Sequence, residues 1–97
     1  MKLIDIRTAD GSRHFVGLPK RVPWQALRDH LSELHGSQVV HFVTGGPSEA
    51  WLDFSYRGHR FAVRNGGAEY HFFVSDPLCS DMDLYQVACH FQGLLEP

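Results

Sequence analysis

The run AWLDFSYRGHRFAVRNGGAEYHFFVS, residues 50–75, decides the fold. Apolar and polar side chains alternate from Ala50 to Tyr56, again from His59 to Arg64, and again from Ala68 to Ser75. A period of two is the mark of a strand with one buried face. Arg57-Gly58 and Asn65-Gly66-Gly67 interrupt the alternation with residues that tolerate positive φ, so the run reads as a three-stranded antiparallel meander. A turn at Arg57-Gly58 pairs Tyr56 with His59, Phe54 with Phe61 and Leu52 with Val63 on one face. On the other it pairs Ser55 with Arg60, Asp53 with Ala62 and Trp51 with Arg64. For the second turn, Gly66-Gly67 is preferred to Asn65-Gly66. It sets Val63 beside Tyr70, Phe61 beside Phe72 and Ala62 beside His71. It also sets Arg64 beside Glu69, an opposite-charge pair worth about 0.2–1 kcal/mol.

These registers sort the side chains into two unlike faces. Leu52, Phe54, Tyr56, Phe61, Val63, Tyr70, Phe72 and Val74 make a core face. Trp51, Asp53, Ser55, Arg60, Ala62, Arg64, Glu69, His71 and Phe73 make a mixed one. A purely solvated face has no need of Trp51 and Phe73, and a second core would not hold two arginines and two carboxylates. Aromatic side chains with arginine are the composition of interface centres. The plainer reading is that the arginine stems cover the aromatics within one chain.

Outward from the meander, Leu3 to Thr8 alternates, Asp10-Gly11 reads as a two-residue hairpin turn, and Arg13 to Leu18 returns. That register sets Phe15 opposite Ile6. Pro19 and Pro23 then break the sheet, and Pro23 suits the first position of a helix. Trp24, Leu27, Leu31 and Leu34 recur at helical spacing over about three turns, with Gly36 as the stop. Gln38 to Thr44 is a strand, with Val39, His41 and Val43 on one face. Gly45-Gly46-Pro47-Ser48 is a loop. Ser80 and Asp83 suggest a capping box, and Leu84, Val87, Ala88, Phe91 and Leu95 form the stripe of a second helix. The expected fold is a single α+β domain over residues 1–97. It is a two-layer sandwich of order ββαββββα, with both helices on one face of an antiparallel sheet.

Composition excludes several functions. Of 97 residues, 43% are apolar and 12% aromatic, which is globular rather than disordered. A net charge of −2 argues against a dedicated nucleic-acid or anionic-membrane binder. The longest apolar run is far short of a membrane span, and residues 1–7 have no signal-peptide core. With only Cys79 and Cys89, ten residues apart, the expectation is two free thiols in a reducing cytoplasm. No phosphate loop, dinucleotide fingerprint, His-Glu-x-x-His or nucleophile elbow is present, and no base can be placed near Ser48. Asp76, Asp81 and Asp83 lack the glycine and distal glutamate of a calcium loop.

Seven histidines are many for this length. His35 suits the cationic end of the first helix. His41 reads as half-buried, and His59 takes the core-facing register beside Tyr56. His71, near two carboxylates, is the one candidate base or ligand. Cys79, ahead of Ser80, suits apolar packing onto Leu84 or, near a helix N-terminus, a reactive thiol of lowered pKa. Cys89 and His90 are adjacent on a helix and point too far apart to chelate together.

The expectation is a small non-enzymatic protein with no cofactor and no metal. It would bind a protein partner, or itself as a homodimer, through Trp51, Asp53, Arg60, Arg64, Glu69, His71 and Phe73. A second reading is a small-ligand or metal-binding protein, or a weak enzyme, centred on His71.

Overall fold

The computed structural model describes residues 1–45 and 49–97, so the loop expected at Gly46-Pro47-Ser48 lies outside the described residues. The element order is β1 (Ile6–Arg7), β2 (Arg13–Pro19), α1 (Trp24–Leu31), β3 (Ser37–Thr44), β4 (Ala50–Tyr56), β5 (His59–Asn65), β6 (Glu69–Val74) and α2 (Asp81–Leu95). The strands form one antiparallel sheet in the order β1-β2-β6-β5-β4-β3. This is the α+β sandwich of order ββαββββα. The N-terminal hairpin does not stand apart: β2 docks beside β6 and lengthens the meander into a continuous six-stranded sheet.

All eight side chains of the expected core face are buried. Leu84, Val87, Ala88, Phe91 and Leu95 of α2 and Leu27 and Leu31 of α1 close over them. The Phe91 ring sits at the centre of this packing, 5.0 Å from Phe72 and 6.2 Å from Phe54. Trp24 meets Tyr70 edge-on at 4.8 Å, and the Tyr70 hydroxyl donates to the Val22 carbonyl. Between the helices the rings of His30 and His90 stack at 4.1 Å. Each Nε2 bonds the other's backbone carbonyl, at 2.8 Å for His30 and 2.6 Å for His90.

The Arg57-Gly58 turn is as read. Both residues have positive φ, 52° and 80°, as a two-residue hairpin of this hand requires, and every β4–β5 pair matches. The second turn is not as read. Gly66 N–H donates to Glu69 O at 2.9 Å, and the turn residues are Gly67 and Ala68, with Gly67 at φ 79°. The β5–β6 register is therefore displaced by two: Phe61 pairs Val74, Val63 pairs Phe72, Ala62 pairs Phe73 and Arg64 pairs His71. An even displacement keeps each side chain on its face. It also lets the ladder run on to Ser75, whose N–H reaches Arg60 O at 2.9 Å.

Three further corrections come from local irregularities. The first hairpin turns through Ala9-Asp10-Gly11, with Thr8 N–H to Ser12 O at 2.9 Å and Gly11 at φ 89°. Ile6 consequently faces His14 rather than Phe15, and β1 has only two residues. Bulges interrupt β2 between His14 and Val16 and β3 between Val39 and His41. The first lets both Phe15 and Val16 reach the core; the second removes Val39 from the face of His41. Helix α1 is shorter than expected. Ser32, Glu33 and Leu34 bond back three residues instead of four, and Ser32 Oγ takes the Asp29 carbonyl at 2.6 Å. His35 thus lies beyond the helix. Pro23 is the cap residue, its carbonyl accepting from Ala26 and Leu27. Ser80 caps α2 through Met82 N–H at 3.1 Å, one residue earlier than a capping box.

Candidate functional site

Both helices lie on one side of the sheet, and the strands alternate, so every second residue of β4, β5 and β6 points away from the helices. Trp51, Asp53, Arg60, Arg64, Glu69, His71 and Phe73 all fall on this helix-free face. Strand β2 adds His14 and β3 adds His41 and Val43.

Within the face the side chains form local groups. Arg64 Nη1 donates to Asp53 Oδ1 at 2.9 Å, and its guanidinium stands 6.0 Å from the centre of the Trp51 ring. Arg64 thus binds Asp53 and not Glu69, because the displaced register puts His71 opposite it. The His41 ring, exposed rather than half-buried as expected, meets Trp51 edge-on at 5.8 Å. Trp51 and Phe73 are half-buried, so the arginine and histidines shield the aromatics more than the bare pattern suggests. Arg60 is exposed at the end of β5 and makes no ion pair among the described residues.

His71 lies across from Arg64 rather than Ala62. Its Nε2 is 3.5 Å from Glu69 Oε1, and its ring packs on His14, tilted by 34° with centroids 4.5 Å apart. A side chain at Gly66 would begin 2.4 Å from His71 Nε2, so the imidazole fills the room that glycine leaves. The His14 ring continues the row to Phe73 at 5.0 Å. Burial, then the neighbouring His71, hold the His14 pKa below the ordinary histidine value. His71 is therefore one of a packed row of rings, with Glu69 beside it.

A hollow of about 380 Å³ opens beside this row. Its floor is Ala62 and Phe73, its walls Arg64 and the hairpin tip with Thr8, Asp10 and Ser12. A second hollow of about 200 Å³ shares Asp10, Ser12, Ala62, Arg64 and Phe73 and adds Asp53, Arg60 and Ser75. Hydrogen bonds from Ser12 and Thr8 hold the Asp10 carboxyl down to about 2, which keeps it charged at the rim. The hairpin tip and His14 escaped the sequence reading. Their signal, a three-residue turn and a bulged strand, is visible only once β2 is paired with β6.

Other sequence candidates lie off this face. Cys79 is buried at the start of α2, and burial, followed by Asp83 and Asp76, pushes its thiol up to about 11. This runs against a thiol of lowered pKa at the helix terminus, since the lost water and the neighbouring carboxylates disfavour the thiolate. Cys89 is free and exposed. Among the described residues the group able to hold a metal is His59, Cys79 and Asp83, which does not include His71. No described helix is long and apolar enough to cross a membrane. Comparison with protein-family models, with curated proteins and with solved structures finds no match, so the reading of this face rests on its own chemistry.

Proposed function

We propose that the helix-free face is a protein-binding surface, and that its occupant is a second copy of this chain. The observation that supports the reading is the face itself. One side of a two-layer domain is left without helices, and it carries half-buried Trp51 and Phe73 among Arg60, Arg64, Asp53 and Glu69. Both charge signs on one patch suit a two-fold axis, across which Arg60 of one chain meets Glu69 or Asp53 of the other. Strands β2 to β6, about 4.8 Å apart and about seven residues long, span roughly 24 Å by 23 Å, or on the order of 1,100 Å² counted over both partners. That is the lower end of a specific interface. The reading includes no catalysis and no cofactor, and the two free cysteines suit a reducing cytoplasm.

Light scattering tests it. The wild type is expected at twice the 11.0 kDa chain mass at micromolar concentration, and Trp51→Glu/Phe73→Glu at the chain mass. A wild type that runs as a monomer sinks the dimer. A dimer untouched by both substitutions moves the interface off this face, the exposed edge of β3 being the other surface where strands can pair.

A further inference from the structure

Three side chains borne by a strand, a loop and a helix converge at the first turn of α2. His59 opens β5 just after the Arg57-Gly58 turn and takes the core-facing register opposite Tyr56. Cys79 ends the loop from β6, and Asp83 lies in the first turn of α2. One ligand atom from each, an imidazole nitrogen, the sulfur and a carboxylate oxygen, lies within 4.8 Å of the other two. The Cys79 thiol is buried, while the His59 and Asp83 side chains keep only 27% and 17% exposure, so the cluster is sheltered but reachable.

None of the three hydrogen-bonds another. Cys79 Sγ points to Ser80 O at 3.8 Å, and Asp83 has only Arg57 Nε at 3.7 Å. Asp76 also lies beside the imidazole, its Oδ2 3.9 Å from His59 Nδ1 and its Oδ1 held by Leu78 N–H at 2.9 Å. Three different donors thus meet without spending their lone pairs on one another, and a further carboxylate stands near the histidine.

We propose that His59, Cys79 and Asp83 are a metal site of the zinc type, which fastens the start of α2 to the end of the β4–β5 hairpin. Imidazole, thiolate and one carboxylate are a borderline-soft set, suited to Zn²⁺ over Ca²⁺ or Mg²⁺. Metal–ligand bonds of about 2.0–2.3 Å in a tetrahedron bring the donors to roughly 3.3–3.8 Å from one another. Closing the cluster therefore takes about 1 Å of side-chain movement, on residues borne by a strand, a helix and the short loop that joins β6 to it. As the sulfur–metal bond forms, the Cys79 proton passes to the buffer. With Nε2 on the metal, Nδ1 is left to Asp76, which orients the imidazole by closing the present gap of 3.9 Å. The site is separate from the helix-free face and holds whether or not that face dimerises.

The test is a Co²⁺ titration of untagged protein stripped with a chelator, followed by Zn²⁺ competition. The expected result is one Co²⁺ per chain with tetrahedral visible bands and a thiolate-to-cobalt absorption in the near ultraviolet. Zn²⁺ should erase both and raise the melting temperature. Cys79→Ser should lose the thiolate absorption, and His59→Gln should weaken binding at least 100-fold. Asp76→Asn should weaken it about 10–100-fold. Cys89→Ser, whose thiol is exposed and outside the cluster, should bind as the wild type does. Far-ultraviolet circular dichroism without metal checks that each variant is folded. A folded wild type without the thiolate absorption overturns the site. So does an absorption that survives Cys79→Ser or disappears with Cys89→Ser.

Discussion

Replacing Phe91 by alanine removes the side chain on which the two layers meet. Phe91 is fully buried, and its ring touches the sheet at Phe72 and Phe54 and approaches His30 of α1 at 5.8 Å. A buried aromatic side chain removes about 150–250 Å² from water, worth roughly 4–6 kcal/mol at about 25 cal/mol/Å². Alanine retains a methyl group's share, and partial collapse of the cavity recovers more, which leaves about 3–5 kcal/mol. A domain of this size has about 5–15 kcal/mol in total, and each kcal/mol moves the melting temperature by about 4–8 °C. Phe91→Ala should therefore melt at least about 12 °C below the wild type. Phe91→Leu, which keeps most of the volume, should lose less than about 1.5 kcal/mol. Tyr85→Ala serves as the control, since Tyr85 lies on the same helix but is 40% exposed. Urea unfolding followed by circular dichroism reads all three. If Phe91→Ala shifts the midpoint no further than Tyr85→Ala, α2 does not seal the core and the two-layer packing is wrong.

Two further outcomes follow from buried polar contacts. Arg13 is nearly buried in β2, with Nε and Nη2 donating to Ile4 O at 3.0 and 2.9 Å and Nη1 to Asp81 at 3.2 Å. Arg13→Met should cost about 1–3 kcal/mol by leaving that carbonyl unpaired, and should speed amide exchange at Ile4, whose N–H bonds Phe15 O. Unchanged exchange at Ile4 would show that Arg13 does not hold the N-terminal segment. The stacked His30–His90 pair concerns acid. Burial lowers the His90 pKa, with a smaller push from the His30 imidazole and against the pull of the His30 carbonyl, while burial and His71 lower that of His14. The unfolded chain takes these protons near the ordinary value of about 6.5 and the folded chain only below it, so stability is complete above 6.5 and is lost as pH falls through the folded values. Asp10, held near 2, withdraws its own share only in stronger acid. With chelator present, the urea midpoint should drop between about pH 8 and pH 5 and drop less in His90→Phe. A midpoint that holds or rises toward pH 5 contradicts the assignment.

Period-two and period-3.6 patterning determined which side chains are buried, because that choice depends only on neighbours a few residues away. The eight core residues of the meander, the five of α2, the Arg57-Gly58 turn and the seven residues of the helix-free face were legible for this reason. Local pattern also put His59 on the core-facing register. Register and irregularity were not legible. The Asn65-Gly66-Gly67-Ala68 segment offers several two-residue turns that keep the same faces, and the Gly67-Ala68 turn is chosen by pairings far along the ladder, Phe61 with Val74 and Ser75 with Arg60. The bulges in β2 and β3 answer to the strands beside them, and no feature of the local alternation announces them. The docking of β2 on β6, which brings His14 to His71 and the hairpin tip to Phe73, joins residues more than fifty positions apart. His59, Cys79 and Asp83 lie nearer in sequence, yet their spacing matches no ligand motif, since a strand, a loop and a helix each supply one of them. Burial is a property of a segment, whereas a site made by convergence exists only when the chain has closed on itself.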